Sequence, residues 1–226
     1  MERPVSCRIA VAMEAAPKKA FATAVDWPGW SRSGKTPELA LEALAACATR
    51  YAAVAAEAGE PFPPGPTAVD HFEIIEEATG GGGTEFGVPS RVTEADRRPT
   101  TAAEGDRLRR LVAAAWTTFD SVAATAPAEL RKGPRGGGRD RDKMIGHVVE
   151  ADGAYAREIG LRLKAPVPED RAAVEVMRAA VLEAIGAPSD GSPLADRKWT
   201  ARYAASRIAW HSLDHAWEME DRSEPG

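Results

Sequence analysis

His211 and His215 stand four residues apart in the stretch IAWHSLDHAWEMEDR (208–222). On a helix, that spacing puts both imidazoles on one face about 6 Å apart, so two ring nitrogens can converge on one cation. A third of the chain's four histidines, His147, lies in a second helical stretch, IGHVVEADGAY. His147 falls early in its helix, whereas His211 and His215 fall late in theirs. The three can meet only if those two helices run antiparallel. This requirement constrains the fold more than any other feature of the chain.

The second half carries four amphipathic stripes of period near 3.6, over Glu104–Thr125, Asp140–Leu163, Glu169–Ile185 and Leu194–Arg222. Glycine and proline separate them at Gly160–Pro168 and Gly186–Gly191. Four such stripes predict a four-helix bundle. A plain up-down-up-down bundle makes the second and fourth helices parallel and holds the histidines roughly 10 Å or more apart along the axis. An up-down-down-up bundle, with Gly160–Asp170 as the crossover, brings them together.

The first third is of another kind. Cys7–Met13 and Phe21–Val25 read as strands. The turn-rich DWPGWSRSGKT follows, and Thr36-Pro37 opens a helix expected to run to Ala58. Phe72, Ile74 and Glu76 mark another strand, giving an α+β module of order ββαβ. The Gly80–Gly83 run is expected to hold no regular helix, with Glu85–Val88 as a short strand after it. The boundary is placed near residue 98, giving units of 1–97 and 98–226.

Composition bounds the function. With 44% hydrophobic and 28% charged residues, the 226-residue chain reads as a globular protein. A net charge of −5 does not suggest a general nucleic-acid-binding surface, so a nucleic acid partner is not expected. The start, MERPVSCRIA, lacks a signal-peptide core, and no apolar run approaches the roughly 18 residues of a membrane span. Cys7 and Cys47 form no framework and read as reduced thiols, so the expectation is a cytoplasmic protein.

Three neutral imidazoles leave a coordination position open, as in catalytic rather than closed structural sites. Zn²⁺ is the first expectation, and Ni²⁺, Mn²⁺ and Fe²⁺ also accept imidazole. Glu218 follows His215 by three residues, and Glu150 follows His147 likewise. Each can orient a ligating imidazole, act as a base, or be a plain helix-surface carboxylate. The loop RKGPRGGGRDRDK (131–143) feeds the helix that carries His147. Its Arg135, Arg139 and Arg141, among four glycines, suit the carboxylate or phosphate of a substrate or thiol cofactor; a solvated loop is the plainer reading. Trp210 and Trp217 read as core or inter-domain packing, and Asp214 as a surface or capping-partner residue.

Two resemblances accompany these residues. His147, followed by VVEADGAYAREIG, together with WHSLDHAWEMEDR, resembles the DinB-like (YfiT-like, mycothiol-transferase) superfamily over about residues 103–222. The resemblance implies a crossed four-helix bundle, a divalent metal on His147, His211 and His215, and a metal-dependent thiol S-transferase or hydrolase. It also implies a low-molecular-weight thiol or other small molecule as partner. WPGWSRSGKTPELALEAL, through Pro28, Gly29, Gly34, Thr36 and Glu38–Leu44, resembles HicB-like antitoxin domains over about residues 6–78. That likeness offers the competing expectation of a non-enzymatic interaction protein with the bundle as scaffold. The oligomeric state stays open, a homodimer being one expectation because bundles with exposed helix faces often dimerise.

Overall fold

A computed structural model of the chain describes residues 8–63, 68–133 and 138–223. It shows an N-terminal four-stranded mixed sheet followed by a helical half. Strands β1 (Ile9–Ala16), β2 (Lys19–Ala24) and β3 (Ser31–Gly34) form an antiparallel meander, and β4 (Phe72–Thr79) pairs parallel to β1. The sheet order is therefore β3-β2-β1-β4. A parallel neighbour needs a crossover, which α1 (Pro37–Ala46) and α2 (Ala48–Glu57) supply. Thr36 caps α1 by accepting from the Leu39 amide at 3.3 Å, with Pro37 at the first helical position.

The expected ββαβ order gains a strand. SRSG carries no apolar alternation, so β3 is invisible to patterning. It is held by pairing to β2, and the Thr23 and Ser31 hydroxyls hydrogen bond across the strands at 2.7 Å. The single helix expected over Pro37–Ala58 is two helices that meet at Cys47 with a bend of 52°. The expectation for Gly80–Val88 is also corrected. Gly82–Phe86 is a short helix, α3, and no strand forms over Glu85–Val88. Thr84 accepts from the Gly81 amide at 2.9 Å and donates to the buried Glu14 carboxylate, while Gly87 ends the turn at φ +104°. Phe86 is 89% exposed, so no apolar face draws this segment into a sheet.

The helical half comprises α4 (Ala102–Thr125), α5 (Arg141–Glu158), α6 (Arg171–Gly186) and α7 (Ala201–Ser223). A reciprocal capping box between Thr101 and Glu104 opens α4. α5 stops short of Leu163, and Gly160 at φ +86° carries the chain out of it. α7 starts at Ala201 rather than Leu194. Leu194–Asp196 is a 3₁₀ turn with positive φ at Ala195 and Asp196, and the Thr200 hydroxyl accepts from the Tyr203 amide. No single helix among the described residues is long and apolar enough to cross a membrane.

Contacts set the helix directions pair by pair. Glu104 meets Arg202, and Arg131 beyond α4 meets the end of α7 at Arg222, so α4 and α7 run the same way. Gly105 faces Gly186 and Asp120 meets Arg171 and Arg178, so α4 and α6 run oppositely. His147 lies beside His211 and His215 while Tyr155 lies beside Trp199, so α5 and α7 also run oppositely.

The N-terminal module packs against α7. Phe21 meets Trp210 edge-on at 6.0 Å. Arg32 of β3 pairs with Asp214 at 3.0 Å and lies over the Trp217 ring. One apolar cluster therefore runs from Val11, Trp30, Leu44 and Tyr51 into Leu111, Ile208 and Leu213. A second cluster, with Phe119, Met144, Val148, Ala216 and Met219, packs at the histidine end.

Candidate metal centre

α7 divides its faces. Ala209, Trp210, Leu213 and Trp217 turn toward the N-terminal module, while His211 and His215 turn toward His147 on α5. This division follows from the sequence. Alanine, leucine and tryptophan occupy the stripe that must be dry, and the four-residue step places the imidazoles on the adjoining stripe.

The three rings lie with centroids 4.6 to 5.0 Å apart, and one nitrogen from each falls within 4.8 Å of the others. The Nε2 atoms of His147 and His211 are 3.2 Å apart. Tetrahedral ligands at Zn–N distances of about 2.0–2.1 Å stand about 3.3 Å from each other, so this separation fits a shared ion. The His215 Nδ1–H donates to Glu218 Oε2 at 3.0 Å, which leaves the Nε2 lone pair of that ring free. Among the described residues, His211 Nδ1 is buried without a hydrogen-bond partner. Pairing His211 only with His147 therefore leaves a polar atom unsatisfied, at a cost of about 1–3 kcal/mol. A cation on the Nε2 lone pairs leaves Nδ1 as it stands; what suits an ion is the 3.2 Å separation of the two Nε2 atoms, which gives both lone pairs one partner.

The electrostatics keep two of these rings neutral. Burial pushes His211 well below the usual histidine range, and the neighbouring His215 and His147 push the same way. Burial also lowers His147, helped by the positive charge of Arg139. Neutral imidazole is the form that ligates. The hydrogen bond from His215 lowers Glu218, despite its partial burial, and Arg222 donates to the same carboxylate at 2.8 Å. Glu218 is thus an ionised carboxylate engaged on both sides.

The other sequence candidates separate. Glu150 is exposed, forms no hydrogen bond to His147 among the described residues, and reaches that ring only through its charge. Arg139 is exposed, and its charge acts on both His147 and His211. Arg141 does not face the centre. From the first position of α5 it donates to the Ala126 carbonyl at 3.1 Å and to Asp142, satisfying an orphan acceptor at the end of α4. Arg135 lies outside the described residues, as does Cys7. The flanks of the loop are tied down, Lys132 to Asp140 and Arg131 to the Asp221 carbonyl.

Sequence reading passed over Arg207 and Asp152. Arg207 continues the four-residue step Tyr203, Arg207, His211, His215, which is a signal present in the sequence. Asp152 is 1% exposed beside Arg178, and burial pushes its carboxyl up to about 7. Only its neighbours reveal that burial.

No protein-family model matches the chain, and no curated protein or solved structure matches it significantly.

Proposed function

We propose that the chain is a divalent-metal-binding protein of DinB-like type, acting as a metal-dependent thiol S-transferase or hydrolase on a small molecule. In this reading the helical half is an up-down-down-up four-helix bundle. The pairwise directions of α4 with α6 and α7, and of α5 with α7, support it. The observation that carries the proposal is the convergence of one nitrogen each from His147, His211 and His215 within 4.8 Å. Three imidazoles suit zinc first, then nickel, manganese or iron.

A divalent ion held there would lower the pKa of a water or thiol at its open position. The chain's own residues do the rest. Glu218 fixes the His215 tautomer and is itself held by Arg222. Burial keeps His211 available as a lone-pair donor, and the apolar cluster of Met144, Val148, Ala216 and Met219 limits water from behind. In this reading the protein is cytoplasmic, where small thiols are reduced.

Elemental analysis of protein purified without chelator is the test. The expected result is on the order of one divalent ion per chain, lost in His211→Ala and in His215→Ala. A wild-type protein that holds no ion after reconstitution overturns the proposal.

One observation favours a second role for the N-terminal module. β4 is an outer strand of the sheet, and its Ile74 and Ile75 are 45% and 48% exposed. In this second reading the HicB-like half uses the strand edge for protein contact, to a separate partner protein or a second copy. Light scattering and a stoichiometric pull-down, each compared with Ile75→Lys, separate these outcomes.

A further inference from the structure

A ring that is to ligate must be fixed in rotation as well as in place. For His215 the hydrogen bond to Glu218 at 3.0 Å does this. His211 has no such tether. Among the described residues its Nδ1 is buried without a hydrogen-bond partner, and its Nε2 meets the Nε2 of His147. Packing must therefore hold this imidazole. The Tyr155 ring meets it with centroids 5.6 Å apart and planes at 88°, the T-shaped contact that ring quadrupoles favour. Trp210 lies farther off, at 6.2 Å, and is itself engaged edge-on by Phe21 of the sheet.

Tyr155 follows His147 on α5 by two turns, about 12 Å, and α5 runs opposite to α7. His147 thus meets the His211 ring from the side of His215, and Tyr155 meets it from the side of Trp199. Tyr155 is held in turn. Trp199 packs on it at 5.2 Å, and Tyr203 meets Trp199 edge-on at 5.1 Å. The Leu194 amide donates to the Trp199 carbonyl at 2.8 Å, so the turn before α7 fixes the end of this row of rings. The Arg207 guanidinium lies 5.3 Å from the Tyr155 ring and 4.7 Å from the Trp210 ring, a cation–π contact to each. Burial pushes the Tyr155 phenol up, so a neutral ring stands beside His211.

We propose that Tyr155 is a positioning residue of the three-histidine centre, its ring holding the His211 imidazole with Nε2 turned to His147. The inference rests on that centre being a metal site. It gives the two ligands of α7 different supports, a carboxylate for His215 and an aromatic wall for His211.

Tyr155→Phe keeps the ring, whereas Tyr155→Leu keeps the apolar bulk and loses it. Zinc affinity by chelator competition should be unchanged in Tyr155→Phe and fall about tenfold in Tyr155→Leu. The visible absorption of the cobalt-loaded protein, which reports ligand geometry, should match wild type in Tyr155→Phe and shift in Tyr155→Leu. In metal-free protein, proton NMR should give a single set of His211 ring resonances in wild type and Tyr155→Phe, and doubled or broadened ones in Tyr155→Leu. A Tyr155→Leu protein with wild-type zinc affinity and cobalt spectrum overturns the proposal and leaves the metal reading standing. A Tyr155→Phe protein as weak as Tyr155→Leu overturns it too, because the hydroxyl and not the ring would then be at work. Should Tyr155→Leu fail to fold by circular dichroism, Tyr155→Met takes its place, with the same outcomes deciding. Wild-type protein that takes up no metal removes the metal reading, and the NMR comparison then decides alone: His211 resonances alike in all variants overturn the positioning role.

Discussion

At the scale of residues, the centre depends on groups that orient as much as on those that would ligate. Glu218→Gln keeps the size of the side chain but presents an amide to His215 Nδ1, so the tautomer is no longer fixed by an ionised acceptor. Metal affinity, measured by chelator competition, should fall by about 10- to 100-fold with the fold intact. His211 makes a prediction in the metal-free protein. An unfolded histidine titrates near 6.5, whereas burial holds native His211 well below that value. As pH falls below about 6.5, the unfolded chain gains a proton that the native state refuses, so stability falls; above it the contribution is complete. Urea unfolding at about pH 7.5 and about pH 5.5 should show wild type losing more stability than His211→Gln. Comparing the two proteins cancels the opposing pH dependence of buried Asp152, whose raised carboxyl loses stability as pH rises toward 7.

At the scale of elements, close approaches between backbones decide how α7 is held. Gly29 adopts φ +93°, and a Cβ there would lie 2.8 Å from Leu213 Cδ1 and 2.9 Å from Ala209 Cβ. On α4, a Cβ on Gly105 would lie 2.1 Å from the Gly186 carbonyl oxygen. Gly29→Ala must therefore lift the Pro28-Gly29 turn from α7 in addition to straining its own backbone, and Gly105→Ala must part α4 from α6. Each should cost about 1–3 kcal/mol by urea unfolding. Gly59→Ala, at φ +68° with open space around it, isolates the backbone part of the Gly29 penalty and should cost less. Of these elements, α4 to α7 could be read from their stripes, because a helix buries one face and the 3.6 period records which. β3 could not, because SRSG owes its strand to pairing with β2. α3 could not either, because the Thr84–Glu14 contact that holds it spans 70 residues.

At the scale of the whole molecule, the sheet module and the helices share one apolar cluster from Val11 and Trp30 to Ile208 and Leu213. Cores that interlock in this way unfold together. Far-UV circular dichroism and tryptophan fluorescence should therefore follow one coincident urea transition. Two separated transitions would instead indicate two independent units divided near residue 98. A fragment of residues 98–226 leaves Ala209, Leu213 and Trp217 without their cover, and it should aggregate or bind a hydrophobic dye more strongly than the full chain.

The sequence by itself determined the helices of the second half and the shared face of His211 and His215. Both follow from local periodicity, which the chain carries without reference to distant neighbours. It also required α5 and α7 to be antiparallel, once His147 was to join them. Tertiary structure alone decided the pairing of Glu218 with His215 and Arg222 rather than a free basic role, and the turning of Arg141 away to the Ala126 carbonyl. It alone set Arg207 against the Tyr155 and Trp210 rings, with its Nη1 lacking a hydrogen-bond partner among the described residues. The physical reason is the same in each case. A charged side chain's role is set by which partners come within about 3 Å, and those partners arrive from segments whose spacing in sequence carries no record of the encounter.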